Sequence, residues 1–200
     1  MLALLLAAGR GRRLGQPKAF VDLEGLTALE RCCETLAAAR PDTLRIVVAS
    51  AGLERAEALA PAGAELVVND DPDRGQTSSL ILGLAAGPAT DVFLHTVDHP
   101  LVRRADVERL SVAIQQRPPG AQIVVPSVDG RRGHPCFYAA PLVAEFLALA
   151  DDEPAHRVLR ADPTRISHVV LDDPWLVRDI DTPDELDAAR RALRLRADGS

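Results

Sequence analysis

The stretch LALLLAAGRGRRLGQPK, residues 2–18, decides the fold of this 200-residue chain. Its apolar part, Leu2 to Ala8, is too short to span a membrane and predicts a buried parallel strand. Gly9 and Gly11 then allow the backbone to turn and to expose N–H groups. Four cationic side chains follow within nine residues, namely Arg10, Arg12, Arg13 and Lys18. The stretch therefore predicts a strand followed by a loop that binds a polyphosphate.

Two common phosphate-binding loops do not fit this stretch. A Walker A loop needs Gly-Lys-Ser/Thr at the start of a helix, but Lys18 lies between Pro17 and Ala19. A dinucleotide fingerprint needs glycine at its first, third and sixth positions, and Leu14 occupies the sixth position counted from Gly9. The loop is therefore of another kind.

The lysine of this loop is unusual within its own chain. Of 23 basic residues, Lys18 is the single lysine and the rest are arginines. A compact ammonium group suits a point contact to phosphate oxygens, whereas the forked guanidinium favours bidentate pairing. The exception therefore indicates a phosphate-binding role for Lys18.

Length, composition and net charge limit the kinds of protein that this chain can be. A hydrophobic content of 47% in 200 residues suffices for one well-buried α/β domain, which we expect over residues 1–197. The net charge of −6 disfavours a broad nucleic-acid surface, which needs a basic face. Positive charges follow the first apolar run instead of preceding it, unlike a signal peptide. We therefore expect a cytoplasmic protein that binds neither nucleic acid nor membrane.

The three cysteines do not predict a metal centre. Cys32, Cys33 and Cys136 give an odd count without C-x-x-C spacing, so zinc is disfavoured. The first two fall in a helical pattern from Thr27 to Ala39, which begins with a capping box of Thr27 and Glu30. We expect these thiols to pack as small apolar groups.

Further along, apolar runs alternate with helical patterns, as in a doubly wound, mostly parallel α/β sheet. Strands are predicted at Leu44–Ala49, Glu65–Val68, Asp91–Val97, Gln122–Pro126 and Ile166–Leu171. Helices are predicted at Leu53–Leu59, Ser78–Ala86, Ala105–Gln116, Leu142–Leu149, Ala155–Arg160 and Pro183–Arg196. In such a sheet ligands bind at the carboxyl ends of the strands.

The opening stretch matches L-x-A-G-x-G-x-R-(M/L)-G-x-x-K at every defined position. It thereby resembles the nucleotidyltransferase superfamily that includes the molybdenum cofactor nucleotidyltransferases and the sugar-phosphate nucleotidylyltransferases. The resemblance implies a single-domain, Rossmann-like nucleotide-diphospho-sugar transferase fold. It also implies catalytic roles for Arg13 and Lys18. The nucleotide-binding residues that it implies here are Leu6, Ala7, Ala8, Gly9, Arg10, Gly11 and Lys18.

A second polar segment follows the third predicted strand. Asn69 comes directly after that strand, and Gly75-Gln76-Thr77-Ser78-Ser79 opens a helix with small hydrogen-bonding side chains. By itself this is an ordinary helix start. It also resembles the G-Q-(S/T)-x-S segment of cytidylyltransferases that act on molybdopterin. That resemblance adds Asn69, Gly75, Gln76, Ser78 and Ser79 to the predicted nucleotide site.

Asp98 follows the fourth predicted strand, in Thr96-Val97-Asp98-His99-Pro100. A carboxylate at a strand end can hold Mg²⁺ against phosphate oxygens, although a plain loop acid has the same appearance. The resemblance implies a catalytic, metal-binding aspartate. Relatives usually have Asp-Gln-Pro here, so His99 is a departure to which we assign no role.

Two further segments complete the predicted site. Gly130-Arg131-Arg132-Gly133-His134-Pro135 looks like the R-G-H-P motif of the same cytidylyltransferases. Its Arg132, Gly133 and His134 are predicted to bind the acceptor phosphate, with a basic β-turn as the structural alternative. Asp179 and Asp181 belong to a D-I-D-T-P-x-(D/E)-L pattern and alternate along an extended stretch, which predicts that they project to the same side. The resemblance implies that one completes the Mg²⁺ site, and we favour Asp181.

These residues predict transfer of CMP from CTP to the phosphate of a pterin acceptor, molybdopterin, with release of pyrophosphate. Mg²⁺ is the expected cofactor, and a molybdenum hydroxylase is a possible partner. No covalent enzyme nucleophile is needed for this in-line displacement. Two alternatives remain open: a guanylyltransferase acting on molybdopterin or phospholactate, and a non-catalytic molybdopterin carrier.

Overall fold

The computed structural model describes residues 1–150 and 153–198. Its main sheet contains β1 (Leu2–Leu6), β4 (Thr43–Ala49), β5 (Glu65–Asn69), β6 (Val92–Thr96), β7 (Ile123–Val128), β8 (Arg131–Arg132), β9 (Cys136–Tyr138) and β10 (Ile166–Val170). A small hairpin is formed by β2 (Asp22–Leu23) and β3 (Leu26–Thr27). The helices are α1 (Ala28–Ala37), α2 (Leu53–Leu59), α3 (Gln76–Ala85), α4 (Arg104–Gln115), α5 (Pro141–Leu147), α6 (His156–Ala161) and α7 (Pro183–Asp198).

The strand order is β10-β7-β9-β6-β1-β4-β5, with β8 paired to β7. The adjacent strands β6, β1, β4 and β5 run parallel to one another, and β10 runs parallel to β7. Only β9, between β6 and β7, and the short β8 pair antiparallel within the described sheet. The predicted doubly wound, mostly parallel α/β sheet is confirmed.

The first strand lies at the centre because it is apolar on both sides. All five residues of β1 are buried. Ala3 and Leu5 face a core layer shared with α1, α4 and α7, while Leu2, Leu4 and Leu6 face α3 and α5. Helices thus cover both faces, and the carboxyl end of β1 meets those of β4 and β6 at one edge.

Local signals predicted most elements within one or two residues. The capping box of Thr27 and Glu30 begins α1, and Thr182 and Glu185 exchange the same kind of bonds at α7. We missed β9 because its three residues, Cys136–Tyr138, are too few to show a periodic pattern. The two-residue strands β2, β3 and β8 were missed for the same reason.

All three thiols pack inside the protein, as predicted for Cys32 and Cys33. Cys32, Cys33 and Cys136 are buried and unbridged. Burial raises the pKa of Cys33 and of Cys136 to about 12, so both stay protonated. Among the described helices, none has the length and apolar character needed to cross a membrane.

Candidate active site

The loop after β1 is a tight turn at the carboxyl edge of the sheet. The Ala7 N–H donates to the Val47 carbonyl (2.8 Å), and the Leu14 N–H donates to the Gly11 carbonyl (2.9 Å). Gly11 has φ +59°, and a Cβ at this position would overlap the Gln16 carbonyl oxygen. Only glycine therefore fits here. The turn brings the chain back, so that Lys18 lies near the carboxyl ends of the strands.

Four predicted residues meet beside this loop, and we call them the charge cluster: Arg13, Lys18, Asp98 and Asp181. The Lys18 ammonium contacts Asp181 Oδ1 and lies 3.5 Å from Asp98 Oδ2. The Arg13 guanidinium contacts Asp181 Oδ2. Residues up to 168 positions apart in the chain thus form one group of two cations and two carboxylates.

Pairing keeps Lys18 and Asp98 ionised in this cluster. Burial by itself would raise the pKa of Asp98, but a hydrogen bond from His99 Nδ1 (2.9 Å) and the Lys18 charge hold it well below the usual range. For Lys18, burial lowers the pKa, and the two carboxylates outweigh that effect and raise it. Asp98 is therefore a carboxylate, and Lys18 an ammonium ion, at neutral pH.

A cavity of about 230 Å³ opens between the loop and the start of α3. Its lining includes the charged groups of Lys18 and Asp98 at one end. The predicted nucleotide residues that line it are Leu6, Ala8, Gly9, Gly75, Gln76 and Ser79. These predicted residues therefore lie together around one cavity that also contacts the charge cluster.

A second cavity, of about 400 Å³, lies on the other side of the same loop. Ala8, Gly9 and Pro72 line both cavities, and Ala7 and Arg10 line the second. Sequence reasoning missed its remaining polar lining, Ser50 and Asp70, which hydrogen-bond to each other. Their positions directly after β4 and β5, at the ligand-binding edge of such a sheet, could have indicated them.

Two predicted nucleotide residues point into the protein. The Asn69 amide donates to Ser78 Oγ (3.1 Å) and Ser79 Oγ (2.8 Å), and Ser78 Oγ donates to the Gly75 carbonyl (2.7 Å). Thr77 Oγ1 accepts from the Ala155 N–H (3.1 Å). Asn69 and Ser78 thus brace the 69–75 loop against α3. Ser79 is also buried but lines the cavity, where Gln76 is exposed.

Arg10 and Arg12 extend across to that loop from the glycine turn. Both pair with Asp73, at 3.2 Å and 2.8 Å respectively. All three side chains are substantially exposed, so these pairs are weak and exchangeable. The arginines therefore remain accessible to an anion at the cavity mouth.

The predicted acceptor segment is divided between two environments. Arg132 is exposed on β8, while Gly133 is buried where a Cβ would overlap the Leu176 carbonyl. The His134 N–H donates to that carbonyl (2.8 Å), and its ring lies 4.9 Å from the His99 ring. Burial lowers the pKa of His134 to about 4. His134 is therefore a neutral ring beside the Asp98 loop. The positive charge of these predicted acceptor residues comes from Arg132 and not from His134.

Asp179 and Asp181 do not share a cavity. Asp179 lines a separate cavity of about 360 Å³ with Trp175 and Arg178, whereas Asp181 faces Lys18. The intervening Ile180 donates its N–H to the Asp98 carbonyl (2.9 Å). This stretch belongs to no strand, so simple alternation did not bring the two carboxylates to one site.

The donor chemistry of the charge cluster suits a hard divalent cation. Asp98 and Asp181 present hard carboxylate oxygens toward one point, occupied by the Lys18 ammonium. Mg²⁺ commonly uses one or two carboxylates and takes its other ligands from phosphates and water. No group of three or more His, Cys, Asp or Glu side chains suited to a metal occurs among the described residues. The pair therefore suits a metal shared with a phosphate ligand.

This chain is similar to a known protein family and to several known proteins. The model of the MobA-like NTP transferase domain matches residues 3–169. Nicotine blue oxidoreductase of Paenarthrobacter nicotinovorans is 32% identical over 92% of this chain and 93% of its own length. Phosphoenolpyruvate guanylyltransferase of Conexibacter woesei is 28% identical, over 98% and 82%. The crystal structure of Rv0371c from Mycobacterium tuberculosis has a TM-score of 0.81 at 26% identity, covering 96% of this chain and 98% of that one.

Proposed function

We propose that this chain, which belongs to the MobA-like NTP transferase domain family, transfers CMP from CTP to the phosphate of molybdopterin and releases pyrophosphate. The observation that carries the proposal is the charge cluster, where Arg13 and Lys18 face Asp98 and Asp181. Two cations and two carboxylates in one place are what a triphosphate and a divalent metal jointly require.

The reaction needs positioning and charge neutralisation more than a reactive side chain. An acceptor phosphate oxygen attacks the α-phosphorus, a new P–O bond forms, and the bond to the leaving pyrophosphate breaks. Arg13 and Lys18 stabilise the leaving charge together with backbone N–H groups of the Gly9–Arg13 turn. Mg²⁺ held by Asp98 and Asp181 would neutralise charge on the transferred phosphate.

The preference for CTP rests on the cavity beside the turn. Ala8 lines it with a methyl group, which takes up room that a purine ring would need, and Gln76 lines it with an amide. A cytosine ring needs less room than guanine and offers polar edges to such an amide. Discrimination by a methyl group amounts to only about 1 to 3 kcal/mol, so both positions contribute.

The acceptor is proposed to lie on the other side of Asp98. His134 adjoins the Asp98 loop through His99, and Arg132 provides an exposed cation on β8. These residues, with Gly133 holding the turn, would bind a phosphorylated pterin. In this proposal residues 1–197 act as one cytoplasmic nucleotidyltransferase domain, whose product passes to a molybdenum hydroxylase.

A second candidate is guanylyl transfer. It is favoured by the relative named phosphoenolpyruvate guanylyltransferase, which this chain matches over 98% of its length. The acceptor would then be molybdopterin or a phosphorylated hydroxy acid such as phospholactate. A third candidate, oxidoreduction, follows from the name of the 32% identical relative. A molybdopterin carrier without turnover would bind pterin and release no pyrophosphate.

One assay separates these candidates. Pyrophosphate release is measured with CTP, GTP, ATP or UTP, each with purified molybdopterin, phospholactate or phosphoenolpyruvate, with and without Mg²⁺. We expect release with CTP and molybdopterin, dependent on Mg²⁺ and lost in Asp181→Asn but kept in the neighbouring Asp179→Asn. A GTP preference would support the guanylyl alternative. Binding without release would support a carrier, and NADH or NADPH oxidation would support an oxidoreductase.

A further inference from the structure

The protein already supplies a partner to every carboxylate oxygen of the charge cluster. Asp181 Oδ1 contacts Lys18 and Oδ2 contacts Arg13. Asp98 Oδ1 accepts from His99 Nδ1 (2.9 Å), and Oδ2 lies 3.5 Å from the Lys18 ammonium. Lys18 therefore sits between the two carboxylates, where a divalent cation would have to bind.

Lys18 and a divalent ion cannot both occupy this place. Oxygens ligate Mg²⁺ at about 2.0 to 2.1 Å, and an ammonium group between the same carboxylates would repel the ion and block its ligands. Asp98 and Asp181 are mostly buried, with 22% and 14% of their side chains exposed, so water screens this competition only partly. A metal ion must displace Lys18 before it binds both aspartates.

The two aspartates are anchored by bonds outside the cluster, through the side chain and backbone of Asp98 and the backbone of Asp181, whereas the cations can move. Asp98 is held by His99 Nδ1, and its carbonyl accepts from the Ile180 N–H (2.9 Å). The Asp181 N–H donates to Glu185 Oε2 (2.8 Å). By contrast, Arg13 has 68% of its side chain exposed, and Lys18 has a flexible four-carbon stem. Rearrangement would therefore move Lys18 and Arg13 and leave the aspartates in place.

We propose that Lys18 and Arg13 are resident counter-ions that reserve Asp98 and Asp181 for a metal ion arriving with the nucleotide. Triphosphate oxygens draw both cations away from the carboxylates, and the freed carboxylates bind the metal. Metal and nucleotide binding are thereby positively coupled, and the same factor must describe the effect of either ligand on the other. The inference rests on the proposed nucleotidyltransferase function and adds an order of binding to it.

The test measures binding of Mn²⁺, used as a spectroscopic substitute for Mg²⁺, to the purified protein without nucleotide. Lys18→Met removes the ammonium and keeps much of the side-chain volume. We expect this variant to bind Mn²⁺ about tenfold or more tightly than wild type, since two ionised carboxylates lose their internal counter-ion. Arg13→Gln, which frees one oxygen only, should give a smaller gain in the same direction.

Arg12→Gln is the matched control. It removes one positive charge from the same loop, but Arg12 pairs with Asp73 and not with the cluster. Its Mn²⁺ affinity should stay within about twofold of wild type, because a general change in net charge acts weakly at this distance. Thermal unfolding of each variant confirms that folded proteins are compared.

The second measurement is CTP affinity with and without Mn²⁺. Wild type should bind CTP about tenfold more tightly with the metal, and Lys18→Met should lose most of this difference. Unchanged or weaker Mn²⁺ binding in Lys18→Met would overturn the counter-ion role. A wild-type Mn²⁺ site that survives Asp181→Asn would instead show that the proposed metal site is elsewhere, and would overturn both proposals.

Discussion

Two groups of titratable side chains lie next to each other at the carboxyl edge of the sheet. The charge cluster has opposite charges in contact, and its Lys18 and Asp98 stay ionised despite partial burial. The histidine cluster, His95, His99 and His134, lies beside it with ring centroids 4.9 to 6.4 Å apart. There burial lowers the pKa of His95 well below its ordinary value and that of His134 to about 4.

The difference shows that burial alone does not set the state of a group. A buried carboxylate keeps its charge where an ammonium faces it, and a buried imidazole becomes neutral where its nearest ionisable neighbours are other imidazoles. His99 joins the two groups directly, because its Nδ1 lies 2.9 Å from Asp98 Oδ1. The same edge of the sheet thus holds a site of paired charges and, next to it, the two neutral rings of His95 and His134.

The largest expected effect comes from breaking the charge cluster. Asp98→Asn keeps the shape of the side chain but removes the charge that faces Lys18. We expect kcat/KM for pyrophosphate release to fall on the order of 1,000-fold, since a metal and phosphate site loses a ligand charge. Asp179→Asn, outside the cluster, is the control, and nearly wild-type activity of Asp98→Asn would refute the assignment.

The histidine cluster should make the protein sensitive to acid. The pKa of folded His134 is about 4, below the ordinary value of 6.5, so the unfolded chain binds more protons between these values. Stability therefore falls as the pH drops from about 6.5 towards 4, by up to about 1.4 kcal/mol per pH unit for each such histidine. Urea unfolding across this range measures the slope.

A matched variant sharpens this prediction. His134→Asn removes one titrating group, so the slope should decrease, while His168→Asn, on the exposed side of β10, should leave it unchanged. Equal slopes in wild type and His134→Asn would show that this ring is not neutral in the folded protein.

The smallest expected effect concerns the nucleobase. Wild type should favour CTP over GTP, and the double variant Ala8→Gly with Gln76→Pro should lose that preference, by about 1 to 3 kcal/mol in the ratio of kcat/KM values. Both positions line the cavity beside the charge cluster but do not contribute charge to it. Equal use of both nucleotides by wild type would remove the support for cytidylyl transfer.

Much of the fold was predictable because its signals are local. The uninterrupted apolar run of β1 requires burial on both faces, and Gly11 requires a turn with positive φ. The capping box of Thr27 and Glu30 also lies within four residues. By contrast, β9 is three residues long and is held by pairing with β6 and β7, so its own sequence did not reveal it.

The candidate site was predictable in part. Lys18 and Asp98 carry clear signals, as a lone lysine after glycines and an acid after a buried strand. The direction of a polar side chain carried no such signal: Asn69 and Ser78 bond to each other, although both suggested a ligand. Ser50 and Asp70 were not among the predicted site residues, and the cavity that they share was missed.

The sequence by itself determined the parallel α/β fold, the glycine turn and the cationic loop, because periodicity and backbone restrictions act over a few residues. Only the tertiary structure decided that Asp181 and not Asp179 meets Lys18, a contact between residues 163 positions apart. It also decided that His134 is a neutral ring and Lys18 a counter-ion. Ion pairing and desolvation depend on neighbours in space, which the folding of distant segments brings together.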